Sequence, residues 1–111
     1  MRKNSIYILF ICIVLVSVKV QAGQVFGSLL ENEQPILEGT SIEITCNGNK
    51  FIGRTDRGGA YRIYLEGTGK CTFKVFHKKQ EVSYEISSYS NPVRFDFNLV
   101  MQNGRYTLQR R

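Results

Sequence analysis

From Val25 to Leu99 the chain alternates apolar and polar side chains with period two, stretch after stretch, which is the pattern of half-buried β-strands. Seven stretches follow one another: Val25 to Leu30, Thr40 to Cys46, Lys50 to Thr55, Ala60 to Leu65, Lys70 to His77, Glu81 to Ser87 and Val93 to Leu99. Turn chemistry separates them. Asn47-Gly48-Asn49, Asp56-Arg57-Gly58-Gly59 and Glu66-Gly67-Thr68-Gly69 all supply residues that tolerate positive φ. No stretch carries a helical period or a capping box, so the chain is all-β. Strands at roughly ten-residue spacing predict a two-sheet Greek-key sandwich, because a single sheet of this length would leave one apolar face in water. An eighth short strand, Arg105 to Leu108, would form if Asn103-Gly104 makes a hairpin turn. The same residues, 101–111, read equally well as a basic C-terminal tail ending in Arg110 and Arg111.

The first 22 residues follow different rules. Arg2 and Lys3 precede an apolar run, Ile6 to Val18, and Val20-Gln21-Ala22 places compact residues where a signal peptidase reads. That order is the signature of a secretory signal peptide, with the cut expected after Ala22. The rival reading is an uncleaved membrane anchor, but a bilayer span needs about 20 apolar residues, and Lys19 ends the run early. Cys12 does not mark a lipidation site, since Ile11 precedes it and it sits inside the apolar run. The expectation is a secreted or periplasmic protein with no stable membrane insertion after cleavage. Residues 23–100 would form the sandwich.

Removing the signal also removes Arg2, Lys3 and Lys19, three of the 15 basic residues, while all nine acidic residues stay. Half of the formal charge of +6 goes with the leader. Nucleic acid is thus not an expected partner of an exported chain, and the remaining charge is read as solubility and weak attraction to anionic surfaces.

Export leaves two cysteines, Cys46 and Cys71, an even count that suggests a disulfide in an oxidising compartment. Cys46 is in phase with Ile42 and Ile44, and Cys71 with Phe73 and Val75, so both point to the core. Inward cysteines on neighbouring or facing strands can meet. The alternative is a pair of free, buried thiols.

Four segments resemble the carboxypeptidase regulatory-like domain, a transthyretin-like sandwich. Gly27-Ser28-Leu29 is similar to its opening G-x-V, and Pro35-Ile36, Gly39-Thr40 and Ile42-x-Ile44 to its P-L-x-G-A-x-V-x-V stretch. Thr55-Asp56-Arg57-Gly58-Gly59-Ala60-Tyr61 matches T-D-x-x-G-x-Y at every fixed position. Gly69 matches the glycine before the next strand, although Cys71 stands where an aromatic is usual. The resemblance implies a transthyretin-like or immunoglobulin-like fold and no particular activity. The central motif also has a plain physical reading as a hairpin lock: Asp56 accepts turn amides, Gly59 takes a backbone shape other residues resist, and Tyr61 returns the chain to the core.

Catalytic chemistry is hard to place. The single histidine, His77, is followed by Lys78 and Lys79 and reads as a solvated strand-end residue. A zinc peptidase needs two or three clustered His and carboxylate ligands, and the sequence has neither H-x-x-E nor H-E-x-x-H. A Ser or Cys nucleophile would need His77 as its base, but there is no G-x-S-x-G and the two cysteines are assigned to a disulfide. Nine acidic residues allow paired carboxylates by count, yet none stands on an apolar stretch that would raise its pKa. No cofactor is expected. Binding is the more open possibility. Phe26, Tyr64, Phe76 and Tyr89 are out of phase with the core or lie in a loop. Tyr64 and Phe76, on strands expected to pair, would form one exposed apolar spot for a sugar. The sequence therefore predicts a non-enzymatic module with a structural or protein-interaction role at the cell envelope, its partner a protein or a glycan; carbohydrate binding through Tyr64 and Phe76 is the alternative.

Overall fold

The computed structural model describes residues 22–111. Residues 1–21, which include the hydrophobic run of the leader, lie outside the described residues. Ten strands follow in chain order: β1 (Ala22–Glu31), β2 (Gln34–Pro35), β3 (Ser41–Cys46), β4 (Asn49–Arg54), β5 (Ala60–Glu66), β6 (Gly69–His77), β7 (Gln80–Ser88), β8 (Val93–Arg94), β9 (Phe97–Gln102) and β10 (Arg105–Arg110). They form a six-stranded and a four-stranded sheet. Among the described residues no helix is long and apolar enough to cross a membrane.

β1 organises the larger sheet. Its first seven residues pair antiparallel with β5, and Val25 and Phe26 pair parallel with β8. Its last residues pair instead with β9 and β2, and β10 pairs antiparallel with β9. The changeover sits at Gly27, where a Cβ would run into the Phe95 carbonyl. Only glycine lets the two backbones approach that closely.

The same crossing breaks the stretch Val93 to Leu99, read from the sequence as one strand, into β8 and β9. Phe95 N–H donates to the Phe26 carbonyl at 2.8 Å, and Ser28 N–H donates to Asp96 Oδ1, also at 2.8 Å. A side-chain carboxylate thus takes the ladder position that a backbone carbonyl would fill, and the strand is interrupted where the sheet bends.

The smaller sheet has the order β4-β3-β6-β7, antiparallel throughout. Alternation is regular here: Ile42, Ile44 and Cys46 face inward on β3, as do Cys71, Phe73 and Val75 on β6. The inner faces of the two sheets share one apolar cluster. Its aromatic spine crosses between sheets, with Phe73 5.3 Å from Tyr61 and 4.8 Å from Phe97, centroid to centroid. Such tilted contacts each add about 0.5–1.5 kcal/mol beyond area burial.

Cys46 and Cys71 are direct cross-strand partners on β3 and β6, with Cα atoms 4.5 Å apart and sulfurs bonded at 2.09 Å. The bond therefore staples neighbouring strands of one sheet. Closing a loop of 25 residues restricts the unfolded chain by about 3.5 kcal/mol on the chain-entropy account.

Residues 105–110 are a strand. Asn103 and Gly104 have φ of 51° and 81°, the left-handed pair that a two-residue hairpin turn requires. Gln80 holds this strand against β7: its Oε1 accepts Tyr106 N–H at 2.9 Å and its Nε2 donates to the Gly104 carbonyl at 3.2 Å. One side chain thus satisfies two backbone groups at a sheet edge.

Candidate functional site

The turn between β4 and β5 forms as a lock. Asp56 Oδ1 accepts the N–H groups of Gly58 and Ala60, each at 2.9 Å. Gly59 has φ 82°, and a Cβ there would lie 2.6 Å from the Leu29 carbonyl oxygen. Gly59 also donates to Asp56 O and accepts Leu29 N–H at 2.8 Å, so the turn is pinned to β1. Tyr61 then enters the core, its hydroxyl donating to the Phe95 carbonyl. Thr55 completes the motif, its Oγ1 accepting Thr40 N–H at 3.0 Å and donating to the Leu37 carbonyl at 2.9 Å; among the described residues Asp56 Oδ2 is the motif's side-chain oxygen with no hydrogen bond at this turn.

Beside this lock, on the outer face of the larger sheet, lies a groove of about 520 Å³ lined by Phe26, Arg54, Asp56, Arg62 and Arg94, with Gly27, Ala60 and Tyr61 also contributing. Strand pairing builds it. Phe26 on β1 is directly opposite Arg62 on β5 and Arg94 on β8. Both guanidiniums lie over its ring, at 4.9 and 5.9 Å from the centroid, a cation–π arrangement on both flanks. Arg62 also donates to Gln24 Oε1. Arg94 Nε is 2.8 Å from Asp96 Oδ2. Burial works against the charge of Asp96, but Arg94 and the amide and hydroxyl of Ser28 outweigh it and hold the carboxyl below its ordinary value. Arg54 donates to the Gly39 carbonyl at 3.3 Å. Among the described residues neither Arg54 nor Arg62 has a carboxylate within ion-pair distance.

Tyr64 and Phe76 do not meet. β5 belongs to the larger sheet and β6 to the smaller one, so the two rings stand on outer faces turned away from each other, 66% and 38% exposed. The two-residue link Gly67-Thr68 looks like a hairpin in the sequence, but it carries the chain from one sheet to the other. Gly67 and Gly69, with φ of 86° and 118°, make that change of direction. Tyr89 is exposed in its loop.

His77 is not a solvated edge residue. It is 9% exposed, and its ring stands edge-on to Tyr106 with centroids 5.0 Å apart. Its Nε2 lies 3.1 Å from Glu31 Oε2, but off the direction of a well-formed hydrogen bond. Glu31 Oε2 also accepts the Tyr106 hydroxyl at 2.9 Å and Lys78 Nζ at 3.4 Å. Burial opposes the Glu31 charge, and the contacts from His77, Tyr106 and Lys78 overcome it, so its carboxyl lies below the ordinary value of 4.5. This cluster ties β1 and β10 of the larger sheet to β6 of the smaller. The sequence did hold a signal for it: residues 71, 73, 75 and 77 share one phase, so His77 falls on the core face of β6.

No protein-family model matches the chain, and no curated protein matches it. Among solved structures it is similar to the TIE protein of Bacillus anthracis, with a TM-score of 0.59 and 12% identity over 79% of this chain and 17% of that one. It is also similar to a DUF3823 family protein from Parabacteroides merdae, with a TM-score of 0.57 and 7% identity over 83% of this chain and 48% of the other. The chain spans less than half the length of either. At these identities the likeness is one of fold alone, that of a β-sandwich.

Proposed function

We propose that the protein is an exported, non-catalytic β-sandwich module with a protein-interaction role at the cell envelope. The observation that carries this reading is the composition of the groove beside the turn lock. Its polar side chains are three arginines, Asp56 and Tyr61, whose hydroxyl is committed to the Phe95 carbonyl. Arginine holds its proton throughout the accessible pH range, and one Asp56 oxygen is committed to two turn amides. Such a set attracts and orients charge: no histidine or cysteine lines the groove, and its one carboxylate, Asp56, is tied by Oδ1 to the turn rather than paired with a second acid. The sandwich belongs to the transthyretin-like, Greek-key kind on this reading. Support comes from the T-D-x-x-G-x-Y turn and from β6, which returns to lie beside β3 after β4 and β5 intervene. Export is supported by the leader pattern and by a disulfide that an oxidising compartment would preserve.

The test is chemical crosslinking of the exported, tagged protein in intact cells, with the same protein on a glycan array. Protein crosslinks confined to envelope components, with no glycan retained, are expected. Glycan retention lost on Tyr64→Ala, without protein crosslinks, would replace this reading with carbohydrate binding.

A further inference from the structure

We infer that the groove around Phe26 is the docking site for an acidic, extended polypeptide segment of a protein partner, an inference that rests on the interaction-module reading above. Three features of the groove converge on this occupant.

The first is charge. Arg54 and Arg62 face the groove with no carboxylate within ion-pair distance among the described residues. Arg94 is already paired with Asp96 and serves mainly to raise the local potential and flank the ring. A guanidinium has five N–H donors, and each of Arg54 and Arg62 has only one donated bond to another residue. Their remaining donors suit carboxylates, which arginine engages bidentately.

The second is preorganisation. The Phe26 ring lies between Arg62 and Arg94, so the cations are held before a ligand arrives and less side-chain freedom is lost on binding. That placement also sets two cations against the ring, where a neutral sugar would have to compete with them for the aromatic face.

The third is spacing. Arg62 and Arg94 stand on strands either side of β1, which places their backbones about 10 Å apart. Arg54 occupies the adjoining end of β4, where Gly53 packs against Ile63 of β5. An extended chain rises about 3.3 Å per residue, so a segment of a few residues spans the groove from the Arg62 side to the Arg94 side, with Arg54 at its β4 end. The methyl of Ala60 and the edge of Phe26 supply a small apolar floor for an intervening aliphatic residue.

The probe is a fluorescein-labelled peptide of alternating glutamate and valine, titrated by anisotropy with the mature chain at about 50 and 150 mM salt. Saturable binding that weakens with salt is expected. Arg62→Glu and Arg54→Glu should each weaken it about tenfold or more, as loss of a charge-assisted contact would. Lys79→Glu, on the β6–β7 turn, should leave it unchanged, and Arg62→Lys should recover binding only in part because the planar fork is lost. Equal melting temperatures check that the variants are folded. No saturable binding, binding indifferent to Arg54 and Arg62, or displacement by polygalacturonate at a lower carboxylate concentration than by unlabelled peptide would each overturn the inference. In-cell crosslinks that persist in Arg62→Glu while the peptide fails to bind would remove the groove and leave the interaction module standing; absence of crosslinks with retained peptide binding would do the reverse.

Discussion

The Tyr61 hydroxyl donates a 2.5 Å hydrogen bond to the carbonyl oxygen of Phe95, 34 residues further along the chain. That carbonyl is the one pressed against Gly27, at the point where β1 changes partners. The motif tyrosine thus supports the break between β8 and β9 as well as filling the core. Tyr61→Phe keeps the ring and removes the donor, leaving a buried carbonyl unpaired at a cost of about 1–3 kcal/mol. Urea unfolding monitored by circular dichroism should read that loss directly.

Tyr61 also predicts the alkaline behaviour of the fold. Burial, and then the charge of Asp96, raise its pKa well above the ordinary value of 10.0. The folded state therefore holds this proton more tightly than the unfolded state. Its contribution is complete below pH 10.0 and is lost as pH rises beyond it. Melting temperature should fall above pH 10 more steeply in the wild type than in Tyr61→Phe, measured relative to each protein's value at pH 8.

At the acid end the sign reverses. The Glu31 carboxyl is held below 4.5, so its contribution is complete above that pH and fades as pH falls through the folded value. Glu31→Gln should lower the melting temperature at pH 7 by about 4–8 °C, for about 1 kcal/mol of lost hydrogen bonding. Its decline as pH falls below 4.5 should also be shallower than in the wild type. An unchanged acid limb would mean that the contacts of Glu31 with His77, Tyr106 and Lys78 do not couple the two sheets in solution.

Period-two alternation made the all-β class, the inward cysteines and most strand bounds legible, because it reports which face of a sheet a side chain occupies. It is silent on which strand lies alongside. For that reason Tyr64 and Phe76 were expected together, although their strands belong to different sheets. The basic groove was illegible for the same reason: Arg54, Arg62 and Arg94 gather only once β5 and β8 flank Phe26. His77 was within reach, since its phase matches Phe73 and Val75, but the two lysines after it suggested solvent. The gap between β8 and β9 depends on a carboxylate replacing a backbone acceptor, which alternation cannot encode.

Gly59 tests the turn lock separately from the tyrosine. With φ at 82° and a Leu29 oxygen 2.6 Å from where a Cβ would stand, Gly59→Ala should cost about 1–2 kcal/mol from backbone conformation alone, and more from the clash. Ala at Gly48, where φ is similarly 82° but nothing lies within 4 Å, should cost only the conformational part. Equal losses at the two positions in urea titrations would show that the Gly59–Leu29 approach is not maintained.

The Cys46–Cys71 bond closes the sandwich, and export is the reading proposed above. Reduction should lower the melting temperature by about 15–25 °C, and Cys46→Ala, Cys71→Ala and the double variant should lose similar amounts because each opens the same loop. The most direct measurement is the intact mass of the protein recovered from the exported fraction, without reductant. The expectation is a chain running from Gly23 to Arg111, with a mass two hydrogens below that of the reduced form. A species retaining residues 1–22, or one with two titratable thiols and the full reduced mass, would contradict it.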